Sequence, residues 1–355
     1  MMDEEKTRKK KKRKKRKKHY FGRLMAFLGL TLLCIVITLF GVVWVFEKGP
    51  SPTLTGIFCN TVRETSAIRW LSNIFLSEEE LSQYIMKSTE DMETDQVNTS
   101  LIHIAEAHEK DPSVEEEPYL QLVDIAYGTC RGKLLIIRNP KGVILGTSGR
   151  YNVEPGLQIT DMVEKYNGLA GTNTGGFYDP GGQGNGGTPT GMVLTNGEII
   201  YGDAGTRYNV IGLDNDGVLL VGTMTGYEAL EKGMKYGVSF TTHDGIASSL
   251  IINGEVQTQN LGPGVNPRTA IGQREDGSLL LLVLDGRSSK TLGATLENVV
   301  DIMLQYGAVN VGNLDGGSSS VMAYGGEIIN NCASITGPRS VPTGFIVLRE
   351  EDIDG

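Results

Sequence analysis

Val311-Gly312-Asn313-Leu314-Asp315-Gly316-Gly317-Ser318-Ser319-Ser320-Val321-Met322 is the stretch on which the rest of the chain is organised. An amphipathic helix, Leu296–Tyr306, and a short apolar run, Ala308–Val311, precede it, and the run has the length and composition of a buried strand. It ends in Asn313 and Asp315, then breaks at Gly316-Gly317 and three hydroxyls. A carboxylate at a strand end, beside two residues without Cβ, lets a ligand approach the backbone closely. The flanking N–H groups and hydroxyls can also hold an anion. A plain polar turn that uses Asp-Gly for its geometry fits the same residues, so the choice falls to the other stretches.

The amino terminus predicts an anchor. The first 23 residues hold thirteen Lys/Arg against Asp3, Glu4 and Glu5, and Leu24–Phe46 follows with no charge in 23 residues. At about 1.5 Å per residue that run reaches roughly 34 Å, enough to span a bilayer. It is longer than the core of a signal peptide, and Phe46-Glu47-Lys48 is not a small-residue cleavage site, which favours an uncleaved single-pass anchor. The basic flank sets the amino terminus in the cytoplasm and the rest outside. The whole chain carries −9 and the part beyond residue 23 carries −19, which argues against nucleic acid as the ligand of that part. Cys34, Cys59, Cys130 and Cys332 form neither a metal pattern nor a disulfide framework; one bridge, Cys59–Cys130 or Cys130–Cys332, is compatible with them. Nothing in the pattern calls for a cofactor, and nothing in it speaks to protein partners.

Four segments follow: a basic cytoplasmic segment at 1–23, the anchor at 24–46, a helical stalk and acidic linker at 47–118, and one domain at 119–355. Within the stalk, Ser66–Leu76 and Glu78–Met86 have helical spacing, with Ser77 and Glu80 as a capping box. Ser88–Ser100 and Glu106–Glu117 are polar and acidic, as linkers are, and His103 and His108 are spaced as surface residues. The last 237 residues suffice for one sizeable core. Short strands predominate there, joined by Asp214-Asn215-Asp216-Gly217, Asn253-Gly254 and Glu275-Asp276-Gly277 turns. Asp214 does not begin an EF-hand, because Thr225 stands where the closing Glu belongs. Helices are fewer, at Ile159–Tyr166, Tyr227–Met234 and Leu296–Tyr306. The expectation is an α+β fold: a Gly-rich domain of mostly antiparallel or mixed sheet with a few packed helices, behind an N-terminal transmembrane helix.

Four constellations in this domain carry chemistry. Gly171–Asp179 places Asn173 near Gly175 and Gly176 and opens the loop Pro180–Gly187, expected as a mobile lid. Gly182, Gly184 and Gly187 match Gly-x-Gly-x-x-Gly formally, yet a strand rather than a helix is expected next, so no dinucleotide site is assigned. Asn266-Pro267-Arg268-Thr269 offers a guanidinium fixed beside a proline, suited to bidentate phosphate binding or to a core-edge carboxylate. Asp285-Gly286-Arg287 closes the most apolar strand, Leu279–Leu284, with a second carboxylate that could join Asp315 in glycoside cleavage. Gly337-Pro338-Arg339 adds a second phosphate contact or a solvated Arg on a stiff connection. No Gly-x-Ser-x-Gly elbow is present, and His243, next to Asp244, is the only His after Tyr119, so a protease or esterase lacks its parts.

Taken in order, Asn173 with Gly175-Gly176-Phe177, Asn266-Pro267-Arg268-Thr269, Asp285-Gly286-Arg287 and Asn313-Leu314-Asp315-Gly316-Gly317-Ser318-Ser319 resemble the phosphodiester glycosidase family over roughly 119–350. Where that family often has Asn-Gly-Gly-Phe-Phe, this chain has Asn173-Thr174-Gly175-Gly176-Phe177. The resemblance implies a hydrolase releasing a sugar from a phosphate-linked acceptor, in cell-surface or exopolysaccharide glycans. On that reading Asp315 and Asp285 are expected to provide the carboxylate chemistry at C1 and Arg268 to neutralise the phosphate, as the catalytic set. Asn173, Gly175, Gly176, Thr269, Arg287, Asn313, Gly316, Gly317, Ser318 and Arg339 would then bind substrate. A membrane-tethered glycan-binding or scaffold module on a degenerate hydrolase domain is the alternative.

Overall fold

A computed structural model describes residues 2–85, 96–104, 118–241, 248–257, 261–334 and 336–353. The acidic stretches at 86–95 and 105–117, His108 and the pair His243-Asp244 lie outside the described residues. The chain is an α+β protein in which every described strand pairing is antiparallel.

Three sheets meet around one core. The first runs, in spatial order, Leu120–Tyr127, Cys130–Ile137, Leu279–Leu284, Arg268–Arg274, Ala308–Leu314, Ser249–Ile252 and Glu255–Val256. The second runs Glu327–Ile328, Met322–Tyr324, Ala170–Asn173, Thr343–Val347 and Val143–Thr147. The third runs Glu198–Tyr201, Val193–Thr195, Met234–Ser239, Arg207–Asp214 and Leu219–Thr225. Leu135, Leu281 and Leu314 from the first, Leu145 and Phe345 from the second, and Ile211 and Val238 from the third fill a common centre.

Leu279–Leu284 explains its own composition. Leu279, Leu281 and Val283 face the common centre, while Leu280, Leu282 and Leu284 face a second cluster built on a helix that covers the sheet's outer side. A strand buried on both faces has no reason to alternate, so it reads as an unbroken apolar run. That helix, Leu296–Gln305, begins with a capping box between Thr295 and Asn298 and buries Val299, Ile302 and Met303. Ile159–Lys165 covers the second sheet in the same way through Met162 and Val163, and Gly226–Glu231 covers the third through Ala229. Sheets one and three come close at Gly312, where a Cβ would lie 2.8 Å from the Ile211 side chain.

Upstream, α1 (Met2–Lys48) contains His19–Lys48, a helix long and apolar enough to cross a membrane. α2 (Pro52–Arg63), capped by Ser51, folds back onto its end, with Phe58 stacked on Phe46 at 4.9 Å between ring centroids. The helix expected over Ser66–Leu76 is instead a 3-10 turn at Arg69–Asn73. The Glu47 carboxylate accepts the N–H groups of Ile74 and Phe75, at 3.3 and 2.6 Å, so the segment is tied to α1 rather than wound on itself. The Ser77–Glu80 capping box forms, at a helix over Glu78–Leu81. Neither bridge compatible with the sequence is made: all four cysteines are free, with Cys59 buried against Leu76 and Leu81 and Cys130 against the Gly293 carbonyl.

One buried amide joins sheet one to sheet three. Gln273 Oε1 accepts the Leu219 N–H at 2.7 Å, and its Nε2 donates to the carbonyls of Gly217 and Gly277 at 2.9 and 3.0 Å. Replacing it with an isosteric apolar chain, Gln273→Leu, leaves an N–H and two carbonyls unpaired in the core. The expected loss is about 2–4 kcal/mol, read as a lower urea midpoint of the detergent-solubilised chain.

Candidate active site

The strand Ala308–Leu314 delivers Asp315 to the junction of two sheets. Its N–H donates to the Thr174 carbonyl at 2.8 Å, and its own carbonyl accepts Asn173 Nδ2 at 2.5 Å. Asn173 Oδ1 meanwhile accepts the Val321 N–H at 3.1 Å and lies 3.1 Å from the Thr269 hydroxyl, itself 3.1 Å from Ser320 Oγ. Asn173 and Thr269, expected at a ligand, are thus fully buried and spend their polar atoms holding the two sides of Asp315 in place. Past Asp315 the backbone turns tightly. The Gly317 N–H donates to the Pro267 carbonyl, Gly317 has φ +63°, and a Cβ on Gly316 would meet that same carbonyl at 2.8 Å. Both glycines are therefore required by backbone geometry.

Asp315 opens into a cavity of about 750 Å3. Gly176, Phe177 and Asp179 line it from one motif, Asn266 and Arg268 from the second, Arg287 from the third, Asn313 to Ser319 from the fourth, and Arg339 from the last. Asn173, Gly175, Thr269 and Asp285 are not among the lining residues. Gly175 packs against the third sheet, where a Cβ would lie 3.1 Å from the Val238 side chain. Asp285 accepts the Asn331 N–H at 2.9 Å and Asn330 Nδ2 at 3.4 Å, and burial pushes its pKa up. It fixes the loop whose Ala333, Ser334 and Thr336 form part of the cavity wall.

Two charge pairs frame the space. Arg339 is not solvated: it meets Asp179 through two parallel contacts of 2.7 Å and lies over the Phe177 ring, its Cζ 4.9 Å from the centroid. The pair also fixes the loop expected to be a mobile lid, since Asp179 Oδ1 accepts the Gly184 N–H and Arg339 Nη2 donates to the Gly184 carbonyl. Across the cavity Arg268 is buried, with Nε on the Ala294 carbonyl at 3.1 Å and Nη2 on the Gly264 carbonyl at 2.5 Å. Its remaining nitrogen meets Glu64 Oε2 at 2.8 Å. Arg287, at φ +53°, donates to Asn266 Oδ1 and to the Thr65 hydroxyl. The segment between α2 and the 3-10 turn thus forms one wall, and Glu64 stands in the anion position on Arg268.

Asp315 is the unusual acid of this set. Removal from water, together with the nearby negative charge of Asp179, outweighs a hydrogen bond from Ser319 and the attraction of Arg339, and raises its pKa from 3.8 to about 7. A carboxyl that changes protonation near neutrality, on the floor of a cavity walled by arginines, can exchange a proton with a bound phosphoester. Glu64 and Asp179 escaped the sequence-based selection. Asp179 was signalled by Arg339, a cation in need of a partner; Glu64 had no local signal, because its partner lies 204 residues away.

The family profile described as "Phosphodiester glycosidase" matches residues 166–348. The N-acetylglucosamine-1-phosphodiester alpha-N-acetylglucosaminidase of Bos taurus is 27% identical over 154 residues, covering 39% of this chain and 28% of that protein. The "SPbeta prophage-derived uncharacterized protein YomE" of Bacillus subtilis is 39% identical over 89 residues, covering 25% of this chain and 14% of that one. The chain therefore spans less than a third of the length of these relatives. Among solved structures, the zebrafish enzyme described as an N-acetylglucosamine-1-phosphodiester alpha-N-acetylglucosaminidase "catalytic domain auto-inhibited by pro-peptide" shares the fold. Its TM-score is 0.53 and its identity 20%, over 67% of this chain and 86% of that one. With its motifs in family order around one cavity and the profile covering 183 of 355 residues, the chain belongs to the phosphodiester glycosidase family.

Proposed function

We propose that the protein is a membrane-anchored hydrolase that cleaves sugar-1-phosphodiesters of glycans outside the cell, with α1 crossing the membrane and its basic end inside. The carrying observation is Asp315, titrating near neutrality in a cavity whose walls hold Arg268, Arg287 and Arg339. Domain 119–355 supplies the hydrolase. The arginines neutralise the phosphate, Asn313, Gly316, Gly317 and Ser318 shape the sugar side, and Asp315 donates the proton to the departing phosphate oxygen. Asp179 holds Arg339 and the glycine loop in place, and Asp285 acts through the loop it holds. A phosphate leaves more readily than an alkoxide, so one acid with arginine assistance suffices. No metal or cofactor is invoked.

Sugar release from a panel of soluble sugar-1-phosphodiesters tests this. Asp315→Asn is expected to lower kcat by roughly 10³-fold, within the range for a lost proton-transfer group. In the wild type kcat/KM should fall as pH rises through about 7, where Asp315 loses its proton. No release from any donor, with measurable binding to wall glycans, would instead favour the tethered binding module.

The same carboxyl sets a stability profile. Its folded pKa lies above its unfolded value, so the folded state holds the proton more tightly. Stability should fall as pH rises from about 4 to about 7 and then level off. Asp315→Asn should remove that fall; an identical pH dependence in variant and wild type would count against a raised pKa at Asp315.

Glu64 adds a resting state. The zebrafish structure is described as auto-inhibited by its pro-peptide, and here a carboxylate from the stalk occupies Arg268, the place proposed for phosphate. One Glu64 oxygen, Oε1, is buried without a hydrogen-bond partner, so the plug is imperfectly satisfied and exchangeable. Glu64→Gln should raise kcat/KM several-fold, and inorganic phosphate should raise its melting temperature more than that of the wild type, because the buried Arg268 then lacks an anion.

A further inference from the structure

We infer that the substrate of this site is a sugar-1-phosphodiester whose alcohol half is a membrane lipid, taken while the lipid stays in the bilayer; this rests on the glycosidase and anchor assignments above. The cavity wall and the membrane anchor are one continuous piece. Residues 64–69 line the cavity, and the chain then runs through the 3-10 turn Arg69–Asn73 to Phe75. Phe75 packs edge-on against Phe40, with ring centroids 6.3 Å apart. Phe40 lies inside the uncharged run Leu24–Phe46, six residues before its end, or about 9 Å at the rise of a helix. Phe75 therefore reaches about 9 Å below the end of that run, into the outer part of the hydrocarbon layer that the anchor would cross.

The contact is fixed, because Glu47 accepts the N–H groups of Ile74 and Phe75 and Lys48 is paired with Glu80 at 2.5 Å. α2, which carries Glu64 at its C-terminal end, is itself stacked on Phe46 through Phe58. The cavity cannot drift away from the bilayer without breaking these ties. Between the cavity and Phe75 the large side chain turned outward is Trp70, 61% exposed, beside the smaller exposed Asn73, and Ile68 on the cavity wall is 38% exposed. A Trp exposed to this degree beside a spanning helix suits the interface, where its ring is shielded from water and its N–H stays wet. The cavity interior next to them is polar and cationic, with Thr65, Ser66, Arg268 and Arg287. A ligand fitting that sequence of surfaces has an anionic sugar-phosphate head and an apolar tail. In hydrolysis, water adds to C1, the C1–O bond to phosphate breaks, the sugar leaves with a new hydroxyl, and the lipid keeps its phosphate as a monoester.

The test uses the full chain reconstituted in phosphatidylcholine vesicles with two donors of the same sugar and phosphate, one esterified to a long prenyl alcohol and one to glycerol. At equal total concentration the prenyl donor is expected to be cleaved at least tenfold faster, and Trp70→Ser, which leaves the anchor intact, should bring the ratio of the two rates below threefold. The double variant Glu47→Ala with Phe75→Ala, which removes the ties of this segment to α1, should do the same. Equal rates on the two donors overturn the inference and leave the glycosidase standing. A preference that survives both variants overturns the interfacial seat and with it the inference, since surface concentration alone then explains it. Cleavage of neither donor overturns the inference together with the glycosidase assignment.

Discussion

Asp315 is held where two sheets touch, and most of the site follows from how that junction is closed. The residue just past a central strand would ordinarily begin a loop with freedom to move. Here its N–H belongs to Thr174 and its carbonyl to Asn173, the latter the last residue of a second-sheet strand and the former its neighbour. Asn173 reaches further, to Val321 on the far side of the turn. The carboxyl is thereby aimed by groups that never approach the cavity, and its desolvation becomes a fixed property of the fold. An acid raised to about 7 must be buried and must also be kept from swinging back to water, and the Asn173 clamp meets the second condition.

Cations impose the second constraint. Arg268 is buried and two of its nitrogens are spent on carbonyls, which satisfies hydrogen bonding and leaves the charge. A buried guanidinium without an anion is costly, so some carboxylate or phosphate must sit beside it in every state. Arg339 meets the same requirement with Asp179, in a fork-to-fork pair that also fixes the glycine loop. The two pairs differ in kind. Asp179 belongs to the same cavity motif, whereas Glu64 arrives from a segment outside the family match and leaves one oxygen unsatisfied. The first lies within the family match, and the second bridges to the segment before it.

Much of this was legible in the sequence where a local physical rule applied. Leu279–Leu284 could be read as a strand because burial on both faces leaves an apolar run, and the turn at Asp214 because its carboxylate caps Asp216 and Val218 itself. The central strand extends through Leu314, past the expected end at Val311, because Gly312, Asn313 and Leu314 stay in register with Ile271, Ala270 and Thr269 and Asn313 is buried rather than exposed. Composition cannot reveal that. The stalk helix failed for a related reason: Glu47 captures N–H groups that helical winding would have used. The motifs located the cavity, yet Asn173, Thr269 and Asp285 turned out to support it rather than line it. Residue type says that a group forms hydrogen bonds, while only packing says with whom.

The stalk ties these strands together. A separate catalytic domain on a loose tether would present its cavity in any direction and would need no apolar surface at the rim. In this chain the wall that carries Glu64 is the same segment that carries Trp70 and ends against α1 at Phe75, so the Glu64–Arg268 pair is mechanically linked to the apolar helix. Under the proposed function an incoming phosphate competes with Glu64 at Arg268, and its local concentration is set by whatever holds it near the membrane. A tethered plug is then displaced most readily by a substrate tethered to the same surface. That gives a physical reason for an imperfect ion pair in the site: one fully satisfied would not yield.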